Sequence, residues 1–411
     1  MSFQQGLSGL NAAAKNLDVI GNNVANTNTV GYKGSEAQFS DVFASSLSGA
    51  SGINVGIGTA LSKVQQQFVQ GNIVVSSSPL DMAINGGGFF RMTDNGAVTF
   101  TRNGQFNLDK NGYIVNAKGD RLTGYAANAN GFVNTSASTT LQISAADISP
   151  AATTTVTGLV NLDSRDSAMA SAAFNIGNSA TYHNATSLSA YDSLGNAHSI
   201  SLYFLKTASN VWDVFAGVDG VQIGAAKVGS VEFDGGTGAI STAVGSATSF
   251  PVTIGAPVAT GATTPMQLKI DLSGSTQFGS AFGVNSLTQD GSASGRLAGY
   301  NIGSDGTILG RYSNGQSKTL GQVVLANFTN PGALQSLGSN SWGETLDSGV
   351  ALVGVPGTSS LGILQSGALE ESNIDLTAEL VKMITAQRVY QSNAQTIKTQ
   401  DSVLQTLVNL R

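Results

Sequence analysis

The chain has 411 residues, a formal net charge of −6, charged side chains at only 11% of positions, and no cysteine. This length exceeds one average domain, so several folded cores are expected. Without cysteine there are no disulfides, thiolate metal sites or cysteine nucleophiles, and an acidic chain without any run of Lys or Arg argues against nucleic acid and membrane partners.

The N-terminal segment predicts an amphipathic helix. Its apolar residues recur every seven positions along two adjacent lines. The first line is Phe3, Leu10, Leu17 and Val24, and the second is Leu7, Ala14 and Gly21. Asn26, Asn28 and Gly31 break the pattern and end the helix. This segment lacks the basic start and continuous apolar core of a secretory signal, so export would not use a cleaved signal peptide.

The region after the helix indicates β-structure. The dipeptides Asn95-Gly96, Asn103-Gly104 and Asn111-Gly112 separate short alternating runs, which is typical of an antiparallel meander. The same pattern returns late in the chain, where Asp305-Gly306 and Asn314-Gly315 flank another strand. Both regions therefore predict strands joined by tight turns.

The middle of the chain predicts a separate β domain. Apolar residues alternate from His198 to Phe204, and 211–215 would be the hairpin partner across 208–210. Composition shifts near Pro150 and near Ser286, where stretches rich in Ala, Thr, Ser and Gly suggest boundaries. The middle block then is an insertion into the β domain formed by the flanking sequence.

The C-terminal segment predicts a second amphipathic helix of about 50 Å, at 1.5 Å per residue. One line consists of Leu376, Met383, Tyr390, Ile397 and Leu404, and the adjacent line of Leu380, Ala394 and Val408. Asp375 and Glu379 lie where negative charge favours a helix N-terminus. A hairpin of two such helices buries only part of each stripe, so neighbouring copies of the chain are expected to cover the rest.

Enzyme-like motifs are weak. The glycines of 85–88 are not followed by the Lys-Ser/Thr of a phosphate-binding loop and are interpreted as a turn between strands. His183 and His198 are interpreted as ordinary strand residues without a nearby acidic cluster. The adjacent carboxylates Glu370 and Glu371 are interpreted as solvated surface. The sequence therefore predicts no catalytic, cofactor-binding or metal site.

Several strings in the sequence resemble the flagellar rod and hook axial protein family. The N-terminal strings are 7–12 and 17–33, which contain the family motif residues Asn22, Asn23, Asn26, Thr27, Gly31, Tyr32 and Lys33. Leu80 to Ile84, Gly88 to Phe90 and Arg102 to Phe106 also look like this family. At the C-terminus, 367–376 and 386–401 resemble its hook branch in particular. The likeness is weak across the middle block.

The resemblance implies a mainly β fold with α-helical coiled-coil termini, in which the two terminal helices pair and two antiparallel β domains are stacked. It implies four discontinuous parts. These are a terminal helical domain of 1–32 with 372–411, a connecting region of 33–70 with 359–371, an inner β domain of 71–147 with 287–358, and an outer β domain of 148–286 inserted in the inner one.

The resemblance also implies a function: a structural, non-enzymatic subunit that self-assembles into the flagellar hook, the curved tube that transmits torque from motor and rod to the filament. The implied partners are other copies of the chain, the distal rod protein, the hook cap, the hook–filament junction proteins and the flagellar export apparatus, with no cofactor. Two alternatives stay open at this point: a distal rod protein of the basal body and a secreted β-rich adhesin.

Overall fold

The computed structural model describes residues 2–42, 56–224, 226–241, 247–254, 261–263 and 265–409. The fold is mainly β with one α-helix at each end, as the sequence predicts. The helices are α1 (Ser2–Ala25) and α2 (Leu376–Asn409), and short 3₁₀ turns lie at Ser171–Ala173, Ser179–Thr181 and Pro331–Ala333. Parts of the predicted connecting region (43–55) and outer domain (225, 242–246, 255–260 and 264) lie outside the described residues.

The strands follow one another between the two helices. In chain order they are β1 (Ser35–Val42), β2 (Gly58–Gln66), β3 (Ile73–Val75), β4 (Met82–Asn85), β5 (Phe89–Asp94), β6 (Ala97–Thr101), β7 (Asn107–Leu108), β8 (Ile114–Val115), β9 (Arg121–Ala126), β10 (Thr139–Thr140), β11 (Thr155–Asp163), β12 (Asn184–Tyr191), β13 (Ala197–Ala208), β14 (Val211–Val218), β15 (Val221–Gln222), β16 (Gly229–Glu232), β17 (Ser249–Ile254), β18 (Met266–Asp271), β19 (Thr276–Phe278), β20 (Gly283–Gln289), β21 (Leu297–Ile302), β22 (Thr307–Tyr312), β23 (Ser317–Val323), β24 (Leu325–Asn327), β25 (Gln335–Gly338), β26 (Ser341–Gly343), β27 (Leu352–Gly354), β28 (Ile363–Ser366) and β29 (Ala368–Glu370).

The described chain forms two compact units. The first comprises the described parts of Met1–Ser144, Gly299–Gly310 and Ser317–Arg411, and the second those of Ala145–Ala298 and Arg311–Gln316. Each unit has its own apolar core, because buried side chains cluster separately in each.

The first unit contains a sheet whose spatial strand order differs from the chain order. Its neighbouring strands include, in spatial order, β23, β9, β5, β6, β26 and β25. Its core is a cluster of aromatic rings that meet edge to face, for example Phe89 with Trp342 at 5.7 Å between centroids. Edge-to-face contacts of this kind add to the stabilisation that burial alone provides. Within the unit, the β1–β2 hairpin lies beside α1, where Gln5 Nε2 donates to the Gly56 carbonyl over 2.7 Å.

The predicted tight turns are confirmed with one exception. Asn95 and Gly96 both have positive φ, 46° and 99°, and join β5 to β6 as a two-residue hairpin requires. Asn103-Gly104 does not form the predicted turn. Gly104 instead lies against β4, where a Cβ would meet the Met82 carbonyl oxygen at 1.6 Å, so the glycine permits close backbone approach rather than a reversal of the chain.

The second unit consists, over its described residues, of two five-stranded sheets that share one core. One sheet contains β17, β18, β11, β19 and β20, and the other β12 to β16. Strands β17 and β18 alternate buried and exposed side chains, as strands with one solvated face do. The predicted hairpin between 198–204 and 211–215 is confirmed, because β13 pairs with β14 antiparallel.

The prediction of purely antiparallel sheets is wrong for the second unit. Strand β11 pairs parallel with β18 and with β19, and antiparallel with β20. The chain builds the sheet of β12 to β16 between β11 and β17, so it re-enters the sheet of β11 without a hairpin from β11 to fix its direction. Turn dipeptides predict only the hairpins and therefore could not reveal this pairing.

Candidate functional site

The two terminal helices pack against each other as an antiparallel pair. A Cβ at Gly6 would lie 3.1 Å from Ile397, and one at Gly9 would lie 2.9 Å from the amide of Asn393. At the other end of α1, Asn23 Nδ2 lies 3.5 Å from Glu379 Oε2. The glycines allow this close approach, because a larger side chain at either position would require Ile397 or Asn393 to shift.

The face of α1 that α2 and the β1–β2 hairpin cover is displaced from the predicted stripes. The buried residues of this face are Gly6 together with Ala13, Ile20 and Asn23, the last three at 6%, 4% and 2% exposure. On α2 the corresponding buried residues are Glu379 and Ala386. Spacings of seven residues relate Ala13 to Ile20 and Glu379 to Ala386, so the heptad period is present but small and polar residues occupy the buried line.

The predicted stripe residues are not buried in the single chain. Those classed as exposed are Phe3, Leu7, Leu376, Leu380, Tyr390, Leu404 and Val408, with exposed fractions between 37% and 74%. Those that are half-buried are Leu10, Leu17, Val24, Met383 and Ile397. Several large apolar side chains on both helices are therefore left facing solvent.

The family motif forms the connection between α1 and the strands. The Asn23 side chain donates to the Ser35 carbonyl over 2.8 Å and accepts from the Ser35 amide over 2.9 Å. Tyr32 donates its hydroxyl to Asn23 Oδ1 over 3.3 Å. Burial is the main reason that the pKa of Tyr32 is raised. These bonds fix the direction in which the chain leaves the helix.

The other motif residues end the helix. Asn26 donates from its side chain to the Asn22 carbonyl over 2.9 Å, and Thr27 donates to the Val24 carbonyl over 2.9 Å. Gly31 has φ +68°, and a Cβ there would lie 2.5 Å from the amide nitrogen of Asn103. Both the left-handed backbone and the lack of space require glycine at this position.

A buried ionic cluster lies beside the motif. Lys33 Nζ is 2.6 Å from Glu370 Oε1, and Arg102 Nη1 is 3.1 Å from Glu370 Oε2, with side-chain exposures of 0%, 4% and 0% for Lys33, Arg102 and Glu370. Lys33 Nζ also donates to the Val69 carbonyl over 2.8 Å. We call these three residues the buried ion cluster. It joins the N-terminal motif, the first β unit and the C-terminal segment at one point.

The interpretation of Glu370 as solvated surface is wrong, since its carboxylate is fully buried and paired with two cations. Burial lowers the pKa of Lys33, while the Glu370 carboxylate opposes this shift. Sequence reasoning missed Glu370 and Arg102 as members of the site. The available signal was weak: Glu370 follows the apolar pair Ala368-Leu369 in β29, but the adjacent Glu371 makes the site read as a charged surface.

The second unit holds a histidine between two carboxylates. His198 Nδ1 lies 2.8 Å from Asp219 Oδ2, and His198 Nε2 lies 3.5 Å from Asp192 Oδ2. The expectation that His198 has no acidic neighbour is therefore wrong, because the turns after β12 and β14 bring both aspartates to it. The described residues contain no group of three side chains arranged to hold a metal ion. His198 thus joins the turns after β12 and β14.

An apolar cleft opens between α1, the first half of α2 and β1. Its volume is about 760 Å³. Its apolar lining includes Ala13, Ile20, Phe39, Val381, Ala386 and Val389. Four charged residues, Glu36, Asp375, Glu379 and Lys382, also line it. We call it the helix cleft. In the described part of the chain, no helix combines the length and apolarity needed to cross a bilayer.

Four family models match successive parts of the chain. They are described as flagella basal body rod protein (3–33), flagellar hook protein FlgE/F/G D1 domain (83–158), flagellar basal body protein FlaE D2 domain (161–292) and flagellar basal body rod FlgEFG protein C-terminal (365–410). Together they include both helices and parts of both β units.

Curated relatives match the whole chain. The flagellar hook protein FlgE of Escherichia coli K12 is 43% identical over 100% of both chains, and that of Salmonella typhimurium is 42% identical with the same coverage. The Borreliella burgdorferi protein of that name is 33% identical over 100% of this chain and 99% of its own. A crystal structure of Helicobacter pylori flagellar hook protein FlgE2 has a similar fold, with a TM-score of 0.54 and 15% identity over 72% of this chain and 100% of that one.

Proposed function

We propose, since this chain belongs to the flagellar hook protein FlgE family and is a structural subunit of the bacterial flagellar hook, that its paired terminal helices form the surface through which subunits polymerise. The observation that carries this proposal is the exposed apolar surface along α1 and α2. The full-length relatives do not favour a distal rod protein or an adhesin.

The energetics support polymerisation through this surface. Burial of apolar surface contributes roughly 25 cal/mol per Å², so covering side chains such as Leu380 and Leu404 stabilises a contact with another copy. A head-to-tail contact that does not close a ring produces a helical filament. Coiled-coil packing of α1 and α2 with helices of neighbouring copies would place the predicted stripes in such contacts.

The remaining predictions extend this proposal. The chain acts without catalysis or cofactor, and it meets the distal rod protein, the hook cap and the hook–filament junction proteins at the ends of the polymer. The flagellar export apparatus delivers it without a cleaved signal peptide. The four-part division of the chain, with its connecting region and its inner and outer β domains, accounts for a flexible joint that transmits torque.

The substitution Leu380→Asp tests the proposal. Leu380 is 43% exposed, so an aspartate there leaves the fold of the single chain intact. It would place an unpaired charge in the contact between copies, which costs several kcal/mol. Polymer formation, followed by light scattering and electron microscopy, should be abolished while the near-ultraviolet circular dichroism of the β units is unchanged.

Thr396→Asp is the matched control. Thr396 is also exposed on α2 but lies on the opposite side of the helix from Leu380. It should polymerise nearly as well as the unmodified chain. Normal polymers from Leu380→Asp, or equal loss in both variants, would contradict the role given to the stripe.

A further inference from the structure

We propose that the helix cleft receives the C-terminal end of α2 from a second copy of the chain. This inference rests on the proposed polymerisation and names one of its contacts. The occupant is the segment 402–409, and the receiving surface consists of α1, the first half of α2 and β1.

The cleft is open in the single chain, and apolar side chains form a large part of its walls. Val381 is 59% exposed and Val389 is 48% exposed on its α2 wall, and Phe39 of β1 is 38% exposed on the opposite side. A volume of about 760 Å³ accommodates several aliphatic side chains. The surface is therefore able to bury an apolar helix end.

The end of α2 has no partner on α1. Gly6 lies opposite Ile397, and Gly9 lies opposite Asn393. In this antiparallel register the first residue of α1 lies opposite about residue 401 of α2. The later residues of α2 therefore extend beyond α1 by roughly two turns. Leu404 and Val408 lie four residues apart on one face of this extension, at 54% and 74% exposure.

The chemistry of the extension suits the cleft. The sequence from 402 to 409 contains no charged side chain. Its transfer therefore adds no further ion to a cleft that four charged side chains already line. Leu404 and Val408 supply apolar surface of the kind that the walls of the cleft offer.

The contact must join different copies. Val381 and Leu404 belong to the single helix α2 and are separated by about 35 Å along its axis, at 1.5 Å per residue. The tip therefore cannot fold back into the cleft of its own chain. Tip and cleft are different surfaces, so each copy can receive one neighbour and enter another, which gives an open series.

Cysteine cross-linking tests the contact, because the natural chain has no cysteine. The double variant Val381→Cys with Leu404→Cys is polymerised, oxidised and separated on a denaturing gel without reductant. A ladder of covalent multimers is expected. When two single variants, Val381→Cys and Leu404→Cys, are co-assembled, the product should stop at dimers because each chain carries one thiol.

The matched control is Val381→Cys with Thr406→Cys. Thr406 is exposed on the same turns of α2 but points away from the face of Leu404 and Val408. It should yield monomers after the same oxidation. The inference would be overturned if the Val381→Cys with Leu404→Cys variant polymerised but gave no ladder of covalent multimers. It would also be overturned if the control gave an equal ladder.

Failure of the contact and failure of the proposed function are distinguishable. If the unmodified chain does not polymerise, the polymerisation role itself is contradicted. If only the cysteine variants fail to polymerise, a pair of opposite charges tests the contact instead. Val381→Glu and Leu404→Lys should each slow polymerisation, and the double variant should restore it. No recovery in the combination would refute the contact.

Discussion

Glu370 shows how a single residue can fix the relation between distant parts of the chain. Its carboxylate pairs with Lys33, which is 337 positions away, and with Arg102, which is 268 positions away. Replacing a buried ion pair as a whole is often neutral, whereas removing one member leaves the other charge unpaired. The buried ion cluster therefore makes docking of the N-terminal motif and the C-terminal segment mutually dependent.

Glu370→Gln should destabilise the first unit by about 3–5 kcal/mol, because Lys33 and Arg102 would stay buried without an anion. Denaturant unfolding followed by the fluorescence of Trp342, in a Trp212→Phe background, measures this change. Glu371→Gln is the control, since Glu371 is exposed and should change stability by less than about 0.5 kcal/mol. Equal stability of the two variants would show that the cluster does not hold the unit together.

At the scale of elements, the sequence predicted the periodic segments well. Both terminal helices follow from heptad spacing, and several hairpins follow from Asn-Gly and Asp-Gly turns, whose glycines have positive φ in the structure. The parallel partners of β11 could not be predicted, because strand order after a long excursion depends on tertiary packing.

The buried faces of the helices illustrate the same limit. Apolar periodicity selected the stripe of Leu380 and Leu404, yet α1 and α2 meet through Gly6, Gly9 and Ala386. Small residues allow close helix contact but contribute little to an apolar pattern. The sequence therefore predicted which helix surfaces are apolar, and the structure shows which helix surfaces are already buried within the single chain.

The second unit should be the more sensitive to acid. Its aspartates with lowered pKa values are Asp163, Asp192, Asp213, Asp219, Asp234, Asp271 and Asp290. Burial alone would raise the pKa of Asp192, but hydrogen bonds from Asn196, Leu194 and His198 outweigh it and hold the pKa at about 2. A carboxyl with a lowered folded pKa stabilises the fold above its unfolded value near 4, and this contribution is lost as pH falls toward 2.

Trp212 and Trp342 allow the two units to be followed separately. Trp212 is fully buried in the second unit, so its fluorescence in a Trp342→Phe background reports acid unfolding there. The signal should change between pH 4 and pH 2. Asp192→Asn should reduce stability at pH 7 and weaken its pH dependence in that range. A Trp212 signal that stays constant down to pH 2 would contradict this assignment.

At the scale of the whole molecule, the chain combines β units that have their own cores with incompletely covered helices. The β cores bury their aromatic and aliphatic side chains within one copy. The stripes of α1 and α2 and the tip at Leu404 and Val408 do not. In the proposed assembly, other copies of the chain would cover these helical surfaces.

Hydroxyl-radical footprinting of the free chain and of the polymer tests this account most directly. Tyr390 is 37% exposed and Met383 is half-buried in the single chain, so both should be oxidised there, with the buried Trp342 as an unreactive reference. In the polymer, oxidation of Met383 and Tyr390 should fall to the level of Trp342. Equal oxidation of these two residues in the free chain and in the polymer would contradict polymerisation through the terminal helices.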